Sequence, residues 1–511
     1  MSNGRYRLLL QSSILNRFSL PLCATMMGAD SFDPKILPKL EREGMFVESL
    51  DNHKEWYRYH KLFRDLLRQR LDEKFSPTEV AELHVRASRW LAANGFIEES
   101  IDHALLSGDV TAAVTIVSAH GLVLVNKERW LLLERLLNKF PAVVINEQPR
   151  LLILLAWLML SRMRFSRVET FRKYLERYVD DDSLTPEERR FLNCSLHTFA
   201  AITFNWAAEP EKVIYHAQQA LSNTKPEWGL VLAYLWIHMG TAAHQLKGGD
   251  AGLMILGEVD HLVTDVLNSA RKKIAIGFVD WFSGDLLKLI HTAQNGLELV
   301  NGLGWLSSES MMHYMVGFAF YERNEFDSAE HHFRAVLHMK HGFQFQAFIF
   351  SAIGQALIYQ AQNRSDDAWG MSETAVNFCL EVEHPSLLFI ARAFQADLAA
   401  RQGRLDKAIV WADQTDVTDL SKLMPYPYQP QLTPAKIWLA EGSPASLQKA
   451  ETELMRLQDI VTGAHNVPYQ IKVLTLQALL YKRQKKGTVS RRSIGAGRPT
   501  GSTRWLYPCV C

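Results

Sequence analysis

Four histidines crowd one stretch of this chain: His331, His332, His338 and His341. On a helix, His338 and His341 would share a face, as would His331 and His338, and imidazoles so placed can hold a metal ion. No cysteine accompanies them and the stretch is half polar, so a solvated helix face without metal is expected. Asp180-Asp181-Asp182 offers neighbouring carboxylates, the residue type used for acid–base catalysis. Thr185-Pro186-Glu187-Glu188 follows directly. That is the signature of a helix start, where negative charge suits the helix dipole, so a charged loop is expected. The run Gly495-Ala496-Gly497-Arg498-Pro499-Thr500-Gly501 is glycine-rich but has no phosphate-loop lysine, follows no strand and opens no helix. No GxxxxGK[ST], HExxH or GxSxG motif and no paired CxxC occurs. The expectation is a protein that binds and does not catalyse, with no cofactor.

A different set suits recognition. Trp236, His238, His313, Tyr314, Arg392 and Gln395 fall on segments that read as the first helix of successive helical hairpins. Stacked hairpins leave a concave face built from those first helices. Aromatic rings mixed with Arg, Gln and His on such a face would suit a sugar or a peptide.

The hairpins are written in the turns. In Arg401-Gln402-Gly403-Arg404-Leu405-Asp406-Lys407-Ala408-Ile409 one helix ends, Gly403 takes the left-handed turn, and an apolar stripe restarts at Leu405, Ala408 and Ile409. The same grammar follows Asn324, Asn363 and Gly442, so the turns are spaced by 39, 40 and 39 residues. A fixed period in that range marks a helical solenoid. Earlier, less regular breaks fall near Arg164, Ala208, Gly249 and Gly284.

The first 75 residues differ. Arg7 to Asn16 and Pro34 to Glu43 read as helices, residues 45–49 and 56–59 as two short strands around Asp51-Asn52-His53, and Lys61 to Leu71 as a helix. Helix, β-hairpin, helix outlines a winged-helix module. Ser76-Pro77-Thr78-Glu79 then opens a helix with a capping box. Short amphipathic helices follow, punctuated by Gly95, Gly108 and Gly121, and Pro141 to Pro149 reads as a connector.

Composition sets outer bounds. The 511 residues are 48% apolar and 22% charged with net charge +1, which gives no general pull toward nucleic acid or membrane. Five scattered cysteines argue against a disulfide framework and for a reducing, cytoplasmic setting. The most apolar run, Leu151 to Leu160, is too short to span a bilayer and reads as a core helix. Asp459 is the last acidic residue, and the segment from Lys482 onward carries eight Lys or Arg.

Two segments carry a resemblance. Leu37 to Val47, followed by Trp56-Tyr57-Arg58-Tyr59-His60-Lys61-Leu62-Phe63-Arg64-Asp65-Leu66-Leu67-Arg68-Gln69-Arg70-Leu71, resembles the winged-helix region of the large ATP-dependent LuxR-type transcriptional activators of the maltose-regulon type. Ser13 to Phe18 with Pro21-Leu22-Cys23, and Glu98 to Asp109, match the flanking helices. The resemblance implies an all-α, tetratricopeptide-like superhelix over 150–484 as a sensor region. Before it come a winged-helix remnant over 1–75 and a helical connector over 76–149. It implies a small-molecule inducer or protein partner and self-association, while ATP and DNA are handled by an NTPase and a helix-turn-helix domain not found in this chain. Residues 485–511 read as a basic, disordered or out-of-frame tail. The chain is therefore expected to be a truncated activator, the other reading being a free-standing repeat scaffold for protein–protein interaction.

Overall fold

In the computed structural model residues 3–28, 35–339, 345–415 and 428–484 are described. His341, the glycine-rich run and the basic tail lie outside them. The chain divides into two compact units, Met1–Leu124 with Leu131–Leu155, and Val125–Trp130 with Ala156–Cys511.

The first unit is built round the expected hairpin. Strands Val47–Ser49 and Tyr57–Tyr59 pair antiparallel, with Val47 opposite Tyr59 and Ser49 opposite Tyr57. Alternation turns Tyr57 and Tyr59 inward and leaves Arg58 outside. Phe18 bridges to Tyr57 and lies 4.5 Å, centroid to centroid, from the Tyr59 ring. Leu8, Leu9, Leu22, Met26, Leu67 and Leu71 close the core around these rings. Arg68, on helix Lys61–Lys74, donates to the carbonyls of Ser13 and Ile14 at 2.8 and 3.0 Å, satisfying the end of the first helix.

Sequence reading missed helix Leu20–Met27, which Ser19 caps, and helix Ala142–Glu147 inside the supposed connector 141–149. Both are short, so periodicity alone could not reveal them. Gly121 is a further correction: it is no breaker but lies within helix Val110–Asn126. A Cβ there would stand 2.2 Å from Leu154 Cδ1, so the glycine permits close helix packing. Residues 76–124 and 131–149 fall in the same compact unit as 1–75.

The second unit is a stack of helical hairpins. Backbone in the left-handed region occurs at Met163, Ala208, Gly249, Gly284, Asn324, Asn363, Gly403 and Gly442, with φ between 52° and 79°. Seven of the eight expected breaks are those residues, and the eighth, Arg164, is displaced by one. The capping boxes at Ser76 and Thr185 form as expected. Small residues bring helices together: Phe333 fills the space left by Gly317 and Gly354, where a Cβ would come within 2.6 and 2.4 Å of its ring.

Hairpins far apart in sequence also meet. Arg164 donates to the carbonyls of Val382 and Glu383 at 3.1 and 3.0 Å, and His384 Nε2 donates to the Arg162 carbonyl at 2.8 Å across 222 residues. In the next such closure, His244 Nε2 reaches the His465 carbonyl at 3.1 Å and His465 Nδ1 reaches the Gln245 carbonyl at 2.9 Å. The repeat stack thus winds back on itself. Among the described residues no helix is long and apolar enough to cross a membrane.

Candidate ligand-binding cavity

A cavity of about 120 Å³ lies inside the second unit, room for a small organic molecule. Its wall is assembled from sequence-distant pieces. Leu160, Ser161, Met163 and Phe165 come from one inter-helix turn, and Asn205 and Trp206 from the end of helix Pro186–Trp206. Tyr234 and His238 lie on helix Gly229–Lys247, Arg271 on Val266–Ser283, and Ser307 and Ser308 at the start of Leu306–Glu322.

Glu128 enters from the loop before helix Trp130–Leu137, with its backbone held left-handed at φ 55°. A side chain other than Gly, Asn or Asp is uncommon there, and what holds it is Arg271. Arg271 Nη2 donates to Glu128 Oε1 and to the Asn126 carbonyl, each at 2.7 Å. Asn126 in turn donates to the Glu227 carbonyl and accepts from the Leu230 amide. The Arg271 side chain is 3% exposed and that of Glu128 11%, so the pair is a buried, mutually neutralised one.

What distinguishes the wall is unmet hydrogen bonding. Glu128 Oε2, Asn205 Oδ1, Trp206 Nε1, His238 Nδ1 and Arg271 Nε are buried without a partner among the described residues. Native proteins leave few such atoms, and each costs about 1–3 kcal/mol. Burial lowers the His238 pKa to about 4, so the ring is neutral at pH 7 and can donate or accept. Apolar area comes from Phe165 and Trp206, whose ring centroids are 4.3 Å apart, and from Phe278 and Met311.

Of the six residues expected on a concave face, His238 alone lines this cavity. Trp236 is 0% exposed. Two helical positions are 200° apart, so Trp236 points into the packing while His238 points to the cavity. Tyr314 is likewise core, against Phe318 and Phe350. His313 pairs with His332, Nδ1 to Nδ1 at 2.8 Å, which removes His332 from the expected solvated face. His331 and His338 are exposed, and no group of three or more possible metal ligands occurs among the described residues. Arg392 is exposed and donates to Gln395 Oε1 at 3.0 Å, away from the cavity.

Sequence reasoning missed Glu128, Asn205, Trp206, Tyr234 and Arg271. Only Arg271 left a signal, as a cation within the apolar stripe of Ala270, Ile274 and Phe278.

Two family models agree with this architecture. The family model for the MalT winged helix domain matches residues 1–79, and that for the MalT-like TPR region matches 196–491, more than half of the chain. The HTH-type transcriptional regulator MalT of Cronobacter sakazakii is 35% identical over 190 residues, which is 37% of this chain and 21% of that protein. MalT of Klebsiella pneumoniae is 37% identical over 162 residues, 32% of this chain and 18% of that one. The chain thus spans about a fifth of the length of the curated relatives it matches. A signal transduction ATPase with a tetratricopeptide repeat sensor from Pyrococcus horikoshii aligns over 92% of this chain and 66% of its own, at 14% identity and a TM-score of 0.41. With a MalT winged helix domain at its start and a MalT-like TPR region over most of the remainder, the chain belongs to the MalT-like family of LuxR-type transcriptional regulators.

Proposed function

We propose that the second unit is the sensor of a transcriptional regulator and that its cavity takes a small, neutral, hydroxyl-rich inducer of the sugar class. The five unpartnered polar atoms around one cavity carry this reading. Arg271 is already neutralised by Glu128, so a charged ligand gains no free counter-ion there. Hydroxyls can donate to Asn205 Oδ1 and Glu128 Oε2 and accept from Trp206 Nε1, while a ring face packs on Phe165 and Trp206.

The protein acts by binding, in the cytoplasm, without catalysis. The ligand shifts a population: the closed superhelix, in which the 160–165 turn walls the cavity and also contacts 382–384, is the form it favours, and that form self-associates. Thermal unfolding against a panel of neutral sugars and charged metabolites tests this. A neutral sugar should raise the Tm by several degrees near saturation, and Trp206→Ala should remove the shift. The reading is abandoned if no sugar raises the Tm, or if Trp206→Ala leaves the shift intact.

A further inference from the structure

The two closures that join distant turns of the repeat stack use histidine in opposite ways. His384 is 3% exposed, and both of its ring nitrogens are engaged. Nδ1 accepts from the Leu387 amide at 3.2 Å, capping helix Pro385–Arg401, and Nε2 donates to the Arg162 carbonyl at 2.8 Å. One acceptor and one donor are what a neutral imidazole offers. A second proton would sit on Nδ1, against the Leu387 N–H. The protonated ring must therefore give up the cap or turn away from Arg162.

His244, 2% exposed, meets two acceptors instead. Its Nδ1 lies 3.2 Å from the Gly249 carbonyl oxygen and its Nε2 3.1 Å from that of His465. A neutral ring has one N–H, so one of those oxygens would face a nitrogen lone pair; the protonated ring donates to both. The local backbone is shaped for this contact. The His465 ring packs on Gly248, where φ is 65° and a Cβ would stand 2.8 Å from His465 Cδ2. His465 Nδ1 in turn donates to the Gln245 carbonyl at 2.9 Å.

The charged neighbours differ as well. The turns around His384 carry Arg162, Arg164, Glu381 and Glu383. Burial lowers the His384 pKa from the ordinary 6.5, its bond to the Arg162 carbonyl opposes the change, and the Arg164 guanidinium adds to the lowering. Folding therefore disfavours the proton there, so this closure is at full strength above about pH 6.5 and weakens below it. The elements around His244 carry Lys247, Asp250, Asp280, Asp285 and Lys288. Lys288 pairs with Asp285 at 3.1 Å and Asp280 accepts from Thr292 at 3.2 Å, and among the described residues none of the five bonds to the His244 ring.

We propose that the two closures form a proton-operated pair: proton uptake by His384 releases the 160–165 turn from 382–384, while proton uptake by His244 tightens the contact of 244–249 with 465. The turn that His384 releases supplies Leu160, Ser161, Met163 and Phe165 to the cavity wall. Acid thus loosens the stack beside the cavity and fastens it at the other closure. A loss of inducer affinity in acid follows only if the inducer reading above holds; the closures themselves can be followed without ligand.

Hydrogen exchange on the full chain, at about pH 7.5 and about pH 5.5 and corrected for the intrinsic rate at each, tests this. Protection in 160–168 should fall about three- to tenfold at the lower pH, the loss of about one hydrogen bond, and protection in 463–466 should rise by a similar factor. His384→Asn keeps a capping acceptor but cannot take the proton, so it should abolish the fall in 160–168 and leave the rise in 463–466. His244→Gln should abolish the rise alone. Both variants keep the other buried histidines, so a general effect of acid would survive in them. If a variant does not fold, the opposite signs in the parent protein still decide. The proposal is overturned if the two segments change in the same direction, if either fails to change, or if either variant keeps the parent's response to pH.

Discussion

His238 and the pair His313–His332 set two regions of one repeat stack side by side. Burial lowers the proton affinity of all three, to about 4. Their partners differ. His313 and His332 share a hydrogen bond between the two helices of one hairpin, whereas His238 Nδ1 has no partner among the described residues. The pattern at 313 and 332 recurs with the same spacing of 19 residues at His84–His103 and His197–His216, each Nδ1 to Nδ1 at 2.7 and 2.9 Å. Paired histidines hold hairpins together. The unpaired one lines a cavity in which four other side-chain polar atoms also lack a partner among the described residues. The same residue type, its proton affinity lowered by burial in both places, thus serves packing in one and an unfilled demand for hydrogen bonds in the other.

The sharpest way to break this comparison is at Arg271. Arg271→Met should cost about 3–5 kcal/mol in denaturant unfolding, because it leaves Glu128 as a lone buried charge. Combining it with Glu128→Gln should recover part of that loss. A smaller effect separates the two kinds of histidine. His313→Leu strands His332 and should cost about 1–3 kcal/mol, whereas His238→Leu removes an atom that was never satisfied and should cost less than 1 kcal/mol. Equal losses would erase the distinction.

Acid should act next. These histidines bind protons less readily when folded than the ordinary value of 6.5, so the unfolded chain takes up more protons as pH falls. Stability is then full above about pH 6.5 and declines toward pH 4, by roughly 1–3 kcal/mol for each buried pair. A Tm that holds constant from pH 7 to pH 4.5 would contradict it. A purely local effect is expected at a cap. Ser76→Ala should lower stability by about 1 kcal/mol with no effect on ligand binding, since it touches only the helix start at Pro77.

The fold was legible because its turns are chemically marked. Asn324, Asn363, Gly403 and Gly442 are residue types that tolerate left-handed backbone, and each adopts it. The winged-helix strands were legible from alternation at Tyr57, Arg58 and Tyr59. The cavity was not, for a geometric reason. Helical periodicity says which side of a helix is apolar, but not which side faces a partner five repeats away. Trp236 and His238 looked alike in sequence, yet one is core and the other wall. Glu128 was invisible because it sits in an irregular loop, and its role comes from Arg271, 143 residues later.

The closure at His384 has a consequence for how the protein is made. Its partner carbonyl on Arg162 is synthesised 222 residues earlier. At bacterial-to-eukaryotic elongation speeds of roughly 5–20 residues per second, that gap is roughly 10–45 s. Single hairpins, whose partners are neighbours in sequence, can form in a small fraction of that time. The early wall of the cavity therefore spends its first tens of seconds on the ribosome without the later helices that complete it. Under the proposal that this cavity takes an inducer, the ligand meets an unfinished cup, and its first chance to enter comes during synthesis, before the later helices close the wall.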